Sequence, residues 1–171
     1  MKLYLMRHGE AEAMGGAIRH DAERILSARG VQEVDAMARL LADADPAIGL
    51  ILTSPLRRAV QTGEAIRRYL PMNPEVRLTT HLNPGFNPPE LIEELSTAGC
   101  ESLVAVGHQP DMSGFISYLI SKSHASVEME TSSVACIDLT LNSVRPDARL
   151  RWLLSSGLQQ ARERVFQRSS P

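Results

Sequence analysis

Met1-Lys2-Leu3-Tyr4-Leu5-Met6-Arg7-His8-Gly9-Glu10 opens the chain with a short apolar run that stops at Arg-His-Gly. Read as a strand over Lys2–Arg7, it puts two chemically active side chains where a strand gives way to a loop. The same pattern recurs twice. The apolar run Leu50–Thr53 leads into Ser54-Pro55-Leu56-Arg57-Arg58-Ala59, and Ser102–Val106 leads into Gly107-His108-Gln109-Pro110. Further strands are expected at Glu75–Leu78, Val134–Leu141 and Leu150–Leu154. Between them lie amphipathic stretches. One follows Ser27 and runs to about Ala44, with Val31, Val34, Ala38 and Leu41 on one face at spacings of three and four. A second starts at Ser54-Pro55, with Ser as N-cap and Pro at the first helical position, and runs to about Leu70. Others cover Pro89–Ala98 and Pro110 to about Ser121, and the tail Gly157–Gln167 reads as a last helix.

Strand and helix in alternation predict a three-layer α/β/α sandwich with a mostly parallel central sheet. The unbroken apolar runs Leu50-Ile51-Leu52 and Leu103-Val104-Ala105-Val106 suit its buried centre. At 171 residues, 43% hydrophobic and 22% charged, the chain is expected to form a single domain over 1–171. A net charge of -2 gives no basic footprint for nucleic acid. No apolar run approaches the roughly 20 residues of a bilayer span, so no membrane partner is expected. The N-terminal run is too short and too soon interrupted for a signal peptide. Cys100 and Cys136 lack a metal or redox spacing and suit a reducing cytosol, so a cytoplasmic location is expected, with both cysteines as small core residues. The turn-rich stretch Asn83-Pro84-Gly85-Phe86-Asn87-Pro88-Pro89 reads as a surface loop beside the site and a lid candidate.

In an open parallel sheet, ligands bind beyond the carboxyl ends of the strands. If these strands are parallel, Arg7, His8, Arg58 or Arg57, and His108 meet in one crevice. Two guanidiniums suit an oxyanion and repel a cation, and the helix expected after Ser54-Pro55 would add free N–H groups. Phosphate therefore fits better than a metal. A neutral imidazole is a competent nucleophile toward phosphorus, provided its other nitrogen carries the proton, donated to a backbone carbonyl. Gly9 lets the chain turn tightly beside it, and cationic neighbours are expected to lower the pKa of His8. Taken singly, His8 or His108 reads as a strand cap bonded to backbone; taken with the arginine motifs, they read as a site. His20, His81 and His124 sit in loop contexts and read as bystanders, Met37, Met112 and Trp152 as packing, and Ser54 as a helix cap rather than a phosphate ligand. Asp21 and Arg24 divide evenly between a surface ion pair and a supporting role at the site's edge.

Leu5-Met6-Arg7-His8-Gly9-Glu10 resembles the RHG signature of the histidine phosphatase (phosphoglycerate mutase-like) superfamily. Ser54-Pro55-Leu56-Arg57-Arg58-Ala59-Val60-Gln61-Thr62 is similar to its S-x-L-x-R-A-x-x-T segment, and Val106-Gly107-His108 to its second histidine. The three come in the family's order and span most of the chain. Asp21-Ala22-Glu23-Arg24-Ile25-Leu26-Ser27-Ala28-Arg29-Gly30 resembles the D-x-x-R-x-L-[S/T]-x-x-G stretch of the short SixA-like branch. The resemblance implies a phosphoglycerate mutase-like fold, His8 as nucleophile, and Arg7, Arg58 (in that register, not Arg57) and His108 on the phosphoryl oxygens. It further implies a phosphorylated protein as partner, with phosphate removed from phosphohistidine, for instance on a phosphotransfer domain of a signalling relay. The scheme requires no metal and no organic cofactor. Larger members carry a carboxylate acid after the third strand, where this chain has His81-Leu82-Asn83-Pro84. Asn83 cannot protonate an alkoxide, which tilts the reading toward phosphohistidine, whose imidazole leaves readily. Glu10, Asp21 and Glu90 stay open as acids. The alternatives are a phosphatase of small phosphomonoesters and a non-catalytic reader of phosphate or phosphoprotein.

Overall fold

The structure, a computed structural model, describes residues 1–16, 18–121, 126–141 and 146–157. In chain order the elements are β1 (Lys2–Arg7), α1 (Ala28–Ala44), β2 (Leu50–Thr53), α2 (Arg57–Tyr69), β3 (Glu75–Leu78), α3 (Pro88–Ser96), β4 (Ser102–Gly107), α4 (Asp111–Ile120), β5 (Val134–Thr140) and β6 (Asp147–Leu154). The sheet order is β3-β2-β4-β1-β5-β6. Strands β3, β2, β4 and β1 pair in parallel, with Arg7 opposite Gly107 and Thr53 opposite Val106 at their carboxyl ends. Strands β5 and β6 complete the sheet antiparallel to it.

Each strand at the centre is buried on both faces, which is why its sequence is uniformly apolar rather than alternating. On one face Tyr4, Met6, Ile51, Val104 and Val106 pack with Val34, Met37, Leu41 and Ile66 of α1 and α2. On the other, Leu3, Leu5, Leu52, Leu103 and Ala105 pack with Leu91 and Leu95 of α3 and Phe115 and Ile116 of α4. This is the three-layer arrangement expected. From β1 the chain passes through α1 to β2, then through α2 to β3, on one face. It then returns through α3 on the other face to β4, in the middle. The connections thus diverge next to β1 and β4, where this architecture opens a crevice.

The structure corrects several details. Strand β6 begins at Asp147, three residues before the expected start, because Asp147, Ala148 and Arg149 pair with Thr140, Leu139 and Asp138. Its alternating burial on the sheet edge weakens the apolar signal. In α1 the buried arc takes Gly30, Glu33, Val34, Met37, Ala38 and Leu41. Val31 lies about a quarter turn from the centre of that arc, at about 100° per residue, and is exposed. Helix α2 starts at Arg57, not at Ser54-Pro55. The Ser54 N–H is still held by the Val106 carbonyl at 3.0 Å, so the chain leaves the sheet too late to begin the helix there. Ser54 Oγ instead accepts from Leu56 N and donates to Asn83 Oδ1 at 3.0 Å. Helix α3 is displaced by a residue or two, to Pro88–Ser96. Of the expected last helix only Gly157 is described, and it is helical; the remainder lies outside the described residues.

Candidate active site

Because β2, β4 and β1 are adjacent and parallel, the loops after them rise side by side at one end of the sheet. His8 N–H donates to Gly107 O at 3.1 Å, so the residue after β1 still rides on the end of β4. Arg58 reaches in from the first turn of α2 and is almost wholly buried, whereas Arg57 is exposed. The choice between the two arginines is thereby made by the helix: consecutive residues on it point about 100° apart.

The imidazole of His8 is held at both nitrogens. Nδ1 lies 2.7 Å from the carbonyl oxygen of Gly9, and Nε2 accepts from Arg58 Nε at 3.1 Å. A carbonyl can only accept, so Nδ1 carries the proton and Nε2 carries the lone pair. Arg58 Nη2 lies 3.4 Å from His108 Nδ1, and the two histidine rings stand 4.9 Å apart between centroids. Arg7 anchors one guanidinium nitrogen, Nη1, on the Met129 carbonyl at 2.9 Å. Its Nε, and Nε2 of His108, are buried without a hydrogen-bond partner among the described residues. The structure therefore brings Arg7, His8, Arg58 and His108 together.

Burial is the largest influence on both histidines. It pushes His8 down to about 4, aided by the charges of Arg58, Arg7 and Arg24 and opposed by the Gly9 carbonyl. The cations thus come second to desolvation. His108 falls to about 3, again through burial first, then through His8 and Arg58. Both rings are neutral at pH 7.

Around this centre the segment 21–30 works as a brace. Asp21 accepts from Arg58 Nη2 at 2.9 Å through its carboxylate, and Arg58 Nη1 donates to the Asp21 carbonyl at the same distance. Arg24 holds Asp21 Oδ1 at 3.0 Å and donates to the Glu12 carbonyl. The ion pair of Asp21 and Arg24 thus extends to Arg58 at the edge of the site. Partial burial pulls the Asp21 carboxyl up, but hydrogen bonds from Arg24 and Arg58 outweigh it, and the net shift is downward. That makes Asp21 a poor proton donor at neutrality. Glu10 turns away into the brace, accepting from Ser27 Oγ at 2.8 Å and facing Arg29 at 3.6 Å. Ser27 in turn caps α1 by accepting from Gly30 N. Asn83 sits across the loop, tied to Ser54. Glu90 is bound to Asn87 and lies near His81, whose Nδ1 meets Glu94 at 2.9 Å.

Gly9 has another purpose than the tight turn expected of it. It is absent from the positive-φ residues of the described chain, and a Cβ there would stand 2.6 Å from Val34 Cγ2. Gly30 is the matching clearance on α1, where a Cβ would overlap the Glu10 carbonyl oxygen. The two glycines let the loop after His8 lie directly on the helix. Sequence reasoning left Thr62 without a role. Its hydroxyl accepts from Gly9 N at 3.2 Å and donates to Arg58 O at 2.8 Å, bridging the two site segments. The signal was the spacing of four between Arg58 and Thr62, which puts a hydroxyl over the arginine's own carbonyl. Met129, Ser132 and Ser133, which hold β1's end through backbone groups, carry no residue-type signal.

Among the described residues no group of three or more His, Cys, Asp or Glu side chains is placed to hold a metal ion, and no helix is long and apolar enough to cross a membrane.

Comparison with known proteins agrees with this geometry. The family model for the histidine phosphatase superfamily (branch 1) matches residues 3–83, a stretch that includes His8, Asp21, Arg58 and Asn83 but stops short of His108. Phosphohistidine phosphatase SixA of Escherichia coli (strain K12) is 27% identical over 142 residues, covering 81% of this chain and 86% of that protein. A solved structure of the protein histidine phosphatase SixA complexed with tungstate superposes with a TM-score of 0.80 at 25% identity, over 92% of this chain and 99% of that one. The α-ribazole phosphatase of Shigella flexneri shares the fold, with a TM-score of 0.71 at 21% identity over 91% of this chain and 97% of its own. Strand order, site placement and these matches agree in a resemblance to the histidine phosphatase superfamily and, within it, to SixA.

Proposed function

We propose that this chain, acting as one domain over 1–171, removes phosphate from phosphohistidine on a partner protein in a cytoplasmic signalling relay, with His8 as the nucleophile. Likeness to the histidine phosphatase superfamily supports a phosphatase; the substrate is the further step. The observation that carries it is the state of His8: Nδ1 donates to the Gly9 carbonyl, and the Nε2 lone pair faces Arg58 inside a buried, cationic pocket.

In the first step Nε2 attacks phosphorus in line, forming a P–N bond as the P–N bond of the substrate breaks. The substrate's imidazole leaves neutral if its second nitrogen is already protonated, so no acid from the enzyme is required. Water then attacks phospho-His8: a P–O bond forms, the P–Nε2 bond breaks with its electron pair returning to Nε2, and the water's proton passes to a phosphoryl oxygen or to solvent. Arg58 must pass its Nε–H from His8 to a phosphoryl oxygen as substrate enters. Arg7, with Nε free, and His108, with Nε2 free, supply further donors or a hydrogen-bonding edge to the equatorial oxygens, the stabilisation that phosphoryl transfer chiefly demands. Three features favour phosphohistidine over an alkyl phosphate. Asp21 is ion-paired, Glu10 is bound to Ser27, and residue 83 is an amide tied to Ser54. None is poised to protonate an alkoxide. Likeness to SixA points the same way.

The test is to incubate the chain with a phosphohistidine-bearing phosphotransfer domain carrying radiolabelled phosphate, quench, and look for acid-labile label. Label on the wild type, none on His8→Ala, and turnover faster than on phosphoserine peptides or sugar phosphates are expected. Faster turnover of small phosphomonoesters would overturn the substrate assignment. Absence of label and turnover on every phosphorylated compound would leave a phosphate-binding module.

A further inference from the structure

We propose that Glu33 is a positioning residue for Arg7 and His8, acting through the turn 129–133; the inference rests on reading His8 as the nucleophile. Glu33 lies on the buried face of α1 with 1% exposure. A carboxylate buried so deeply is costly unless hydrogen bonds surround it. Its two oxygens divide the work. Oε1 accepts from Arg29 Nε at 2.8 Å, while Oε2 faces Thr131 Oγ1 at 3.3 Å and Ser132 Oγ at the outer limit of 3.5 Å.

What those hydroxyls belong to gives the carboxylate its significance. Met129 O anchors Arg7 Nη1 at 2.9 Å. Ser133 O receives Arg7 N at 3.1 Å, and Ser132 N donates to His8 O at 3.2 Å. Three hydrogen bonds that fix the Arg7-His8 pair thus come from one five-residue turn. That turn is closed by Ser133 N on Glu130 O and has Ser132 at φ 60, a left-handed conformation that a serine does not favour. Glu33 is the buried acceptor that holds both hydroxyls of this turn from beneath, and Ser156 Oγ ties the Thr131 carbonyl from the other side. An apolar residue at 33 would fill the space but take from Thr131 and Ser132 the acceptor beneath them, leaving Arg29 to Glu10 and solvent. Glu33 touches neither reacting group, so it acts only by placing them. A bridge of this kind needs hydrogen-bonding capacity rather than charge. A glutamine can accept from Arg29 with its carbonyl and donate to the two hydroxyl oxygens with its amide.

The full chain is compared as wild type, Glu33→Gln, Glu33→Ala and the double variant Thr131→Val/Ser132→Ala, at a temperature where circular dichroism shows each folded. Displacing a nucleophile by a fraction of its bond length is costly, on the order of 100-fold per ångström. The folded Glu33→Ala and double variants are expected to lose about tenfold or more in kcat on p-nitrophenyl phosphate, with orthovanadate inhibition weakened by at least about fivefold. Glu33→Gln should stay within about threefold of the wild type. Nitrogen-15 shifts of the His8 ring and Arg7 Nε should move in the first two and hold in the third, a readout that needs no turnover. The double variant keeps the test sound if Glu33→Ala does not fold. The proposal is overturned by a folded double variant with wild-type kcat and unmoved shifts, or by Glu33→Gln as impaired as Glu33→Ala. Failure of His8 to take label in the wild type, with the shifts moving as described, would instead strike the nucleophile reading alone.

Discussion

Acid should destabilise this protein through His8 before most of its carboxylates titrate. The imidazole binds its proton at an ordinary value of 6.5 when unfolded and at about 4 when folded, chiefly because the folded ring is buried. Between those values the unfolded chain holds more protons, so stability rises with pH across that window. The contribution is fully present above 6.5, is lost as pH falls toward 4, and falls no further below it. At about 1.36 kcal/mol for each tenfold difference in proton affinity, the full loss is on the order of 3 kcal/mol, a large share of a typical folding free energy of about 5–15 kcal/mol. The assay is urea unfolding of the wild type and of His8→Asn at steps from pH 7.5 to about pH 4. Asparagine retains an amide beside Gly9 and Arg58 but cannot titrate. The stability difference between the two proteins should shrink or reverse by about 3 kcal/mol as the pH falls. His108 adds to it, since its own depression depends in part on His8. A difference that stays constant through the whole range would refute the claim that His8 is held neutral by its surroundings.

Three further outcomes follow from particular contacts. Arg58→Ala should lower kcat by about 10²–10³, while Arg57→Ala, on an exposed side chain, should change it less than about twofold; steady-state kinetics on one phosphoryl substrate checks both. Asp21→Ala removes a carboxylate 2.9 Å from Arg58 Nη2 but leaves the Asp21 carbonyl contact. With the carboxylate 55% exposed, the expected loss is about 1 kcal/mol, a fall of about fivefold in kcat/KM, and an unchanged kcat/KM would show that Arg58 needs no brace. Gly30→Ala would drive a Cβ onto the Glu10 carbonyl oxygen, and should destabilise by about 1–3 kcal/mol and depress turnover as well, because the loop it displaces follows His8; urea titration and kinetics measure the two effects separately.

The parts of this structure that could be read from sequence are those in which residue type and position coincide. Leu50-Ile51-Leu52 and Leu103-Val104-Ala105-Val106 read as central strands because burial on both faces demands it. Arg7, His8 and His108 were legible as strand-end residues, and parallel pairing of β1, β2 and β4 then brought them together. Three features escaped. The start of α2 was misplaced because Ser54-Pro55 carries a helix-start signature, but the backbone of Ser54 remains bonded to β4; a tertiary hydrogen bond overrode a local preference. Gly9 was credited with a turn, when the requirement comes from Val34, 25 positions along the chain. The turn 129–133 was invisible because it works through carbonyl and N–H groups that every residue possesses.

The charge balance of the site gives the half-exposed carboxylate of Asp21 a particular part to play. Arg7 and Arg58 bring two positive charges into a buried centre, and His8 and His108, both neutral, cancel none of it. Among the described residues, the carboxylate of Asp21 pairs with Arg58 and with Arg24. That leaves an excess of positive charge beside a lone pair on His8 Nε2, an arrangement complementary to an entering dianion and to the charge on a transferring phosphoryl group. Were a buried carboxylate to meet Arg58 instead, it would satisfy the guanidinium in the resting protein and compete with substrate for it. A half-exposed carboxylate, weakened by solvent, can orient Arg58 without claiming it. On the proposed role of Arg58, the Asp21 contact has to be strong enough to aim the guanidinium at His8 and weak enough to let it turn toward phosphate, and a position at the rim rather than in the core meets both requirements.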